Sequence, residues 1–143
     1  DTINKLFSFL EEIFIFGGGR QEQAIADGWA SQFKNVSSLI GDFTLTEELE
    51  IISNLDLMLS MDSAGMHMAS LMGVPVVSIW GPTHPYAGFL GYGQLDSDCL
   101  QIDDPIRPNS IYGNKPCLVG VVPCIDLVKP EMVVNKIKQK LHG

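Results

Sequence analysis

The sequence reads Met61-Asp62-Ser63-Ala64-Gly65-Met66-His67-Met68-Ala69 and, shortly afterwards, Pro75-Val76-Val77-Ser78-Ile79-Trp80-Gly81-Pro82-Thr83. This pattern predicts a strand over 57–61, a polar turn, a helix over 64–72, a strand over 76–80 and a second turn that begins with glycine. Small residues after the first strand would leave the first backbone N–H groups of the helix free. Because helix N-termini at the carboxyl ends of parallel strands suit phosphate, the stretch predicts a nucleotide-phosphate site.

Strands and helices alternate along the rest of the chain as well. The apolar spacing predicts helices over 2–12, 20–33, 45–55 and 130–141, strands over 13–16, 36–39 and 99–102, and irregular loops over 81–98 and 103–129. Strands that alternate with helices of about ten residues are typical of a parallel sheet with helices on both faces. We therefore predict a doubly wound, Rossmann-like α/β fold of four or five strands, in a single domain over 1–143.

The composition excludes several classes of protein. Among 143 residues, 45% are apolar and 18% are charged, which is too apolar for a disordered chain. A net charge of −8 with scattered basic residues argues against nucleic-acid binding. No apolar run approaches the length of a membrane span, and the polar start Asp1-Thr2-Ile3-Asn4 does not resemble a signal peptide. We expect a cytoplasmic protein without a metal or a cofactor.

The cysteine pattern supports the same expectation. Cys117 and Cys124 form one close pair with no second pair to complete a zinc site. Buried thiols or a disulfide that staples the loop are both favoured over a metal.

Three glycine turns are candidate ligand loops. Gly17 and Gly18 lie between a strand and a helix, but Glu22 replaces the third glycine of G-x-G-x-x-G and no P-loop lysine follows. This turn is either close to a ligand or only a tight backbone turn. Gly81 and Thr83 follow the next strand at the same predicted edge, where adjacent turns commonly form a pocket. His84 beside them carries little weight, since a rigid proline-rich turn explains it.

The turn at 62–65 is the strongest candidate of the three. Asp62 and Ser63 could serve only as helix caps, and a lone helical histidine is usually structural. The Ser-Ala-Gly turn ahead of His67 favours a functional role for that histidine instead. Asp62 would repel a phosphate, so its expected role is to orient the loop through backbone N–H groups or a water molecule.

The two turns resemble the signatures of glycosyltransferase family 9, the lipopolysaccharide heptosyltransferases, in their C-terminal half. The family pattern D-[ST]-[GA]-x-x-H-[LM]-A is matched in order by Asp62, Ser63, Ala64, His67, Met68 and Ala69. The pattern G-x-P-x-V-x-[LIVFW]-[FWY]-G-[PA]-T matches residues 73–83. Ala64 stands where many members have glycine, which narrows the turn slightly. The resemblance extends over nearly the whole chain.

This resemblance implies the C-terminal half of a two-domain GT-B fold. That half would bind an ADP-heptose-like donor, with Ser63, Ala64 and Gly65 at the diphosphate and His67 beside it. The acid that binds the ribose would be near Thr46 or Glu47, without a fixed register.

The resemblance also implies what lies outside this segment. The acceptor domain with its catalytic base is absent here, so the segment would bind donor weakly and would not turn over. The intact enzyme would be an inverting transferase in lipopolysaccharide core synthesis that uses a lipid-linked saccharide acceptor. It would be cytoplasmic and could be peripheral at the inner membrane.

Two other classes remain open on the sequence. A nucleotide-sugar epimerase would also place phosphates on such a helix, and an acid–base pair in a second half would favour it. A non-catalytic nucleotide-binding or oligomerisation module is the other alternative.

Overall fold

A computed structural model describes Asn4, residues 8–108, Ser110, Tyr112 and residues 114–143. The helices are α1 (Gly19–Gln32), α2 (Leu45–Ile52), α3 (Ala64–Leu71) and α4 (Pro130–His142). The strands are β1 (Ile13–Ile15), β2 (Val36–Ser38), β3 (Met58–Met61), β4 (Val76–Ile79), β5 (Cys99–Leu100), β6 (Leu118–Val119) and β7 (Val122–Pro123). Short 3-10 helices occupy Pro85–Ala87, Asp96–Asp98 and Cys124–Leu127.

The chain forms two compact units, Asp1–Glu50 and Ile51–Gly143, which divide within α2. In the first unit, β1 and β2 pair in parallel and α1 forms the crossover between them. Ala26 of α1 and Val36 of β2 are buried, as expected for an amphipathic helix packed on a strand. The single domain over 1–143 stays a prediction.

In the second unit, β3, β4 and β5 form a parallel sheet in that order. The central strand β4 has an almost continuous buried run, because both of its neighbours and the packed helices α3 and α4 cover it. Trp80, directly after β4, is fully buried, and its indole N–H donates to Ser78 Oγ at 2.8 Å. This core holds the ends of β3 and β4 in a fixed position.

Strands and helices alternate along the chain, and the pairs β1–β2, β3–β4 and β4–β5 are all parallel. These features confirm the predicted α/β fold class. Several predicted bounds are wrong. The helix predicted over 45–55 ends at Ile52, and the strand predicted over 99–102 ends at Leu100. The helix predicted over 2–12 lies partly outside the described residues, and its described part over 8–12 forms turn and coil.

The loop predicted over 103–129 contains an antiparallel hairpin of β6 and β7 that the sequence analysis missed. Its strands have two residues each, too short for periodicity to show. Among the described residues, no helix combines the length and apolar character that a membrane crossing requires.

Candidate functional site

The N-terminus of α3 is open. Ser63 is its N-cap residue, with extended backbone angles of φ −152° and ψ 173°, and its side chain makes no capping hydrogen bond. The first turn of α3 contains no acidic residue. The first backbone N–H groups of a helix have no partner within the helix, and the helix dipole adds positive potential there. The site therefore suits an anion.

Two hydroxyl groups lie beside this N-terminus. Ser60 Oγ is 2.9 Å from Ser63 Oγ and donates to the carbonyl oxygen of Met61 at 3.0 Å. A Cβ atom at Gly65 would meet Ser60 Oγ at 3.4 Å, so glycine leaves room around this pair. Sequence reasoning missed Ser60, although it is the polar residue within the apolar strand β3.

The other side chains of this turn are accessible. His67 follows Ser63 by one helical turn, and both Ala64 and His67 are exposed. Asp62 is half-buried, and its carboxylate makes no hydrogen bond to any other residue that the structure describes. The loop-orienting role of Asp62 thus stays a prediction.

The turn after β4 leaves the sheet next to the turn after β3. The strands are parallel, and Met61 is in register with Ile79, so the turns at 62–65 and 81–83 begin at the same edge of the sheet. Gly81 is buried, and a Cβ atom there would lie 3.2 Å from Ile125 Cβ. Close approach therefore explains this glycine.

A buried arginine holds the second turn, and sequence reasoning missed it. Arg107 Nε donates to the carbonyl oxygen of Gly81 at 2.6 Å, and its Nη2 donates to that of Thr83 at 2.8 Å. Burial lowers the pKa of the Arg107 guanidinium from its usual value, and Asp103 opposes this shift. No sequence signal links this residue to a turn more than twenty positions away.

His84 is fixed by its own local contacts. Its Nδ1 accepts a hydrogen bond from the backbone N–H of Tyr86 at 3.1 Å, which caps the 3-10 helix over Pro85–Ala87. Burial, and then the positive charge of Arg107, lower the pKa of His84, while Asp96 and Asp103 raise it. The neutral imidazole is favoured.

The remaining predicted site residues lie in the first unit: Gly17, Gly18, Thr46 and Glu47. The glycine turn there binds the side chain of Glu22. The backbone N–H of Gly18 donates to Glu22 Oε2 at 2.8 Å. A Cβ atom at Gly17 would lie 2.6 Å from the same oxygen, and Gly19 has a positive φ of 82°. The Glu22 carboxylate thus occupies the position that an anion would take at α1.

Glu47 also has a structural partner. Its Oε2 accepts from the backbone N–H of Thr44 at 2.7 Å, while Thr44 Oγ1 accepts from the backbone N–H of Glu47 at 3.3 Å. This reciprocal capping box shows that Thr44, rather than Thr46, caps α2. Thr46 is exposed within the first turn.

The cysteine pair forms a loop staple, one of the two expected alternatives. Cys117 and Cys124 form a disulfide with a Cα–Cα distance of 5.4 Å across the base of the β6–β7 hairpin. Among the described residues, no cluster of histidine, cysteine and acidic side chains could hold a metal ion.

The sequence family follows from comparison with known proteins. The sequence model of the family described as glycosyltransferase family 9 (heptosyltransferase) matches residues 4–100. The chain belongs to glycosyltransferase family 9. Two proteins named lipooligosaccharide heptosyltransferase 2, from Campylobacter jejuni serotypes O:6 and O:2, are each 27% identical to this family 9 chain. The matches cover 93% and 96% of this chain but 42% and 43% of those relatives.

A solved structure gives the same result for the fold. The structure of E. coli ADP-heptose LPS heptosyltransferase II matches with a TM-score of 0.69 at 18% sequence identity. The match covers 98% of this family 9 chain and 39% of that structure. It confirms the predicted fold as part of a GT-B type architecture, and the chain spans about two fifths of its curated relatives.

Proposed function

We propose that this chain is the donor-binding half of an inverting heptosyltransferase that takes an ADP-heptose-like nucleotide sugar. The observation that carries the proposal is the open N-terminus of α3 in a family 9 chain, with Ser63 at the N-cap and Gly65 in the first turn. By contrast, the backbone N–H groups of Gly18 and Thr44, just ahead of α1 and α2, already bind the carboxylates of Glu22 and Glu47. A donor diphosphate would find free N–H groups at α3.

In the proposed reaction, an acceptor hydroxyl oxygen forms a bond to the anomeric carbon of the sugar. The bond from that carbon to the diphosphate breaks on the opposite face, which inverts the configuration. The hydroxyl proton passes to a base in the acceptor half. The negative charge that develops on the departing nucleoside diphosphate would be stabilised by the N-terminus of α3 and by His67.

The remaining parts of the proposal concern the longer protein. The acceptor would be a lipid-linked saccharide of the lipopolysaccharide core, bound by a separate half that supplies the base. This segment alone would bind donor weakly without turnover. The enzyme would work in the cytoplasm, with peripheral contact at the inner membrane.

A nucleotide titration of the 143-residue chain tests donor binding. We expect ADP to shift the backbone amide NMR signals of Ser63, Ala64, Gly65 and His67. Titrations with UDP and GDP would show which base is preferred, and adenosine, which lacks phosphates, is the control. Equal chemical-shift changes with ADP and with adenosine would contradict a diphosphate site at α3. An absence of shifts with all three diphosphates would contradict it as well.

His67→Ala tests the catalytic role in a two-domain protein that carries this segment with an acceptor half. We expect turnover to fall by roughly tenfold to a thousandfold, the range for loss of one stabilising donor. His142→Ala is the matched control, because His142 is also exposed but lies in the last turn of α4. Unchanged turnover in the His67 variant would contradict the proposed role of His67 in stabilising the departing diphosphate.

A further inference from the structure

The guanidinium of Arg107 joins two loops at one edge of the sheet. Besides the carbonyl oxygens of Gly81 and Thr83 after β4, it binds the carbonyl oxygen of Ile102 at 2.6 Å and Gln101 Oε1 at 3.0 Å after β5. The arginine is 8% exposed. It therefore forms four hydrogen bonds to neutral acceptors in a place with little access to water.

No carboxylate of a described residue lies within salt-bridge distance of Arg107. A buried charge without an ion-pair partner is costly, and satisfied hydrogen bonds offset part of that cost. A neutral side chain could not supply five N–H donors in one plane, and lysine supplies three from a single point. The chain thus retains a cation here in a position where only an arginine matches all four acceptors.

The position of this cation connects it to the anion site. Met61 and Ile79 are in register on parallel strands, so the Gly81–Thr83 turn begins beside the turn that leads into α3. The carbonyl oxygens of Gly81 and Thr83 carry partial negative charge that would repel a phosphate. Because Arg107 binds both of these oxygens, they are directed at the guanidinium. Because a trans peptide unit directs its N–H opposite to its C=O, the bond to Thr83 also fixes the direction of the His84 N–H.

We propose that Arg107 is a positioning residue of the donor site, which holds the Gly81–Thr83 turn in the conformation that accepts the donor diphosphate. The inference rests on the proposed function. Arg107 acts through the backbone of the turn and adds positive potential at this edge of the sheet.

The test uses Arg107→Lys and Arg107→Ala in the full chain, with ADP as the probe. We expect both variants to shift the amide NMR signals of Gly81, Thr83 and His84 without nucleotide. We expect ADP affinity to fall by about tenfold to a hundredfold, the scale for the loss of one hydrogen bond to a charged group. Millimolar guanidinium should restore ADP affinity of Arg107→Ala severalfold, whereas methylammonium should not.

Lys140→Met is the matched control for a loss of stability. The Lys140 ammonium binds the buried Asp98 carboxylate at 2.8 Å just before β5, at the opposite end of that strand from Gln101. This variant should lower the unfolding temperature while ADP affinity stays within about twofold, since additive effects are expected at distant sites.

Two results would overturn the inference. The first is an ADP affinity within twofold of the wild type in Arg107→Lys, measured below its unfolding temperature. The second is amide signals of Gly81 and Thr83 that do not move in either variant. If the wild-type chain binds no ADP, the proposed function fails, and the amide signals decide the role of Arg107 in fixing the turn on their own. Should Arg107→Ala not fold, Arg107→Lys gives the same readouts.

Discussion

The hydroxyl oxygens of Ser60 and Ser63 lie 2.9 Å apart at the carboxyl end of β3. A hydroxyl group has one proton, and that of Ser60 is donated to the carbonyl oxygen of Met61. Ser63 is therefore the donor within the pair. A bound diphosphate would receive the Ser63 proton instead, since a charged acceptor forms the stronger hydrogen bond.

This relationship separates the effects of two serine substitutions. We expect Ser63→Ala to lower ADP affinity about tenfold to a hundredfold, the loss of one hydrogen bond to a charged group of roughly 1.5–3 kcal/mol. Its free energy of unfolding should change by less than about 0.5 kcal/mol, because the side chain does not cap α3. Ser60→Ala should leave ADP affinity within about twofold. Calorimetric titration and urea unfolding measure both quantities, and equal affinity losses in the two variants would contradict the assignment.

The reciprocal hydrogen bonds between Glu47 and Thr44 can be tested as the cap of α2. Glu47→Ala should lower the free energy of unfolding by about 1 kcal/mol, since it removes half of the capping box with Thr44. Glu47→Gln should retain the cap, because glutamine also reaches back to the N-cap N–H. Urea unfolding of both variants measures these effects, and a Glu47→Ala variant as stable as the wild type would contradict the capping role.

The sequence predicted the features that depend on neighbours along the chain. The strand predicted over 57–61 and found over Met58–Met61, the turn at Ser63 and the helix after it follow from local periodicity and small residues. The four bonds of Arg107 join loops that are far apart in sequence, and no period or spacing encodes such contacts. The bond from Gly18 to Glu22 depends on a side-chain rotamer, which sequence reasoning does not supply. Long-range and rotamer-dependent contacts therefore had to come from the structure.

Two glycine substitutions should have opposite effects on stability. Gly81→Ala would place a Cβ atom 3.2 Å from Ile125 Cβ, and we expect this overpacking to destabilise the protein by about 1–3 kcal/mol. Gly28→Ala lies within α1, where a new Cβ atom meets nothing within 4 Å. It should stabilise the protein by about 0.5–1 kcal/mol, because alanine loses less backbone entropy in a helix. Urea unfolding of both variants tests the pair, and a stabilised Gly81→Ala would refute the close contact.

The pKa of His84 predicts a pH dependence of stability. Because burial and Arg107 lower this pKa in the folded protein, the unfolded chain binds a proton more readily. His84 is neutral in both states above the unfolded pKa of about 6.5, and the folded state loses stability as the pH falls through that value to the folded pKa. His84→Asn should lose this component while keeping an acceptor for the Tyr86 N–H. Urea midpoints at pH 7.5 and pH 5 should differ less in this variant, and an NMR titration of the His84 ring measures its pKa directly.

The disulfide between Cys117 and Cys124 should stabilise the β6–β7 hairpin and the packing of Ile125 against Gly81. Closing a loop with a sequence separation of 7 restricts the unfolded chain, and the entropy model gives about 2.5 kcal/mol of stabilisation. The double variant Cys117→Ser/Cys124→Ser should therefore unfold at a lower temperature, and its unfolding should not respond to a dithiol reductant. In the wild type, the reductant should lower the unfolding temperature by the same amount as the double substitution does.

Alkylation with iodoacetamide provides an independent count of the thiols. Cys99 is the free cysteine of the described residues, and burial raises the pKa of its thiol, which slows its reaction near neutral pH. Mass spectrometry should find one adduct after unfolding without reductant and three after reduction, because Cys117 and Cys124 are then released. Three adducts without reductant, or an unfolding temperature of the wild type that reduction does not change, would contradict a stabilising disulfide.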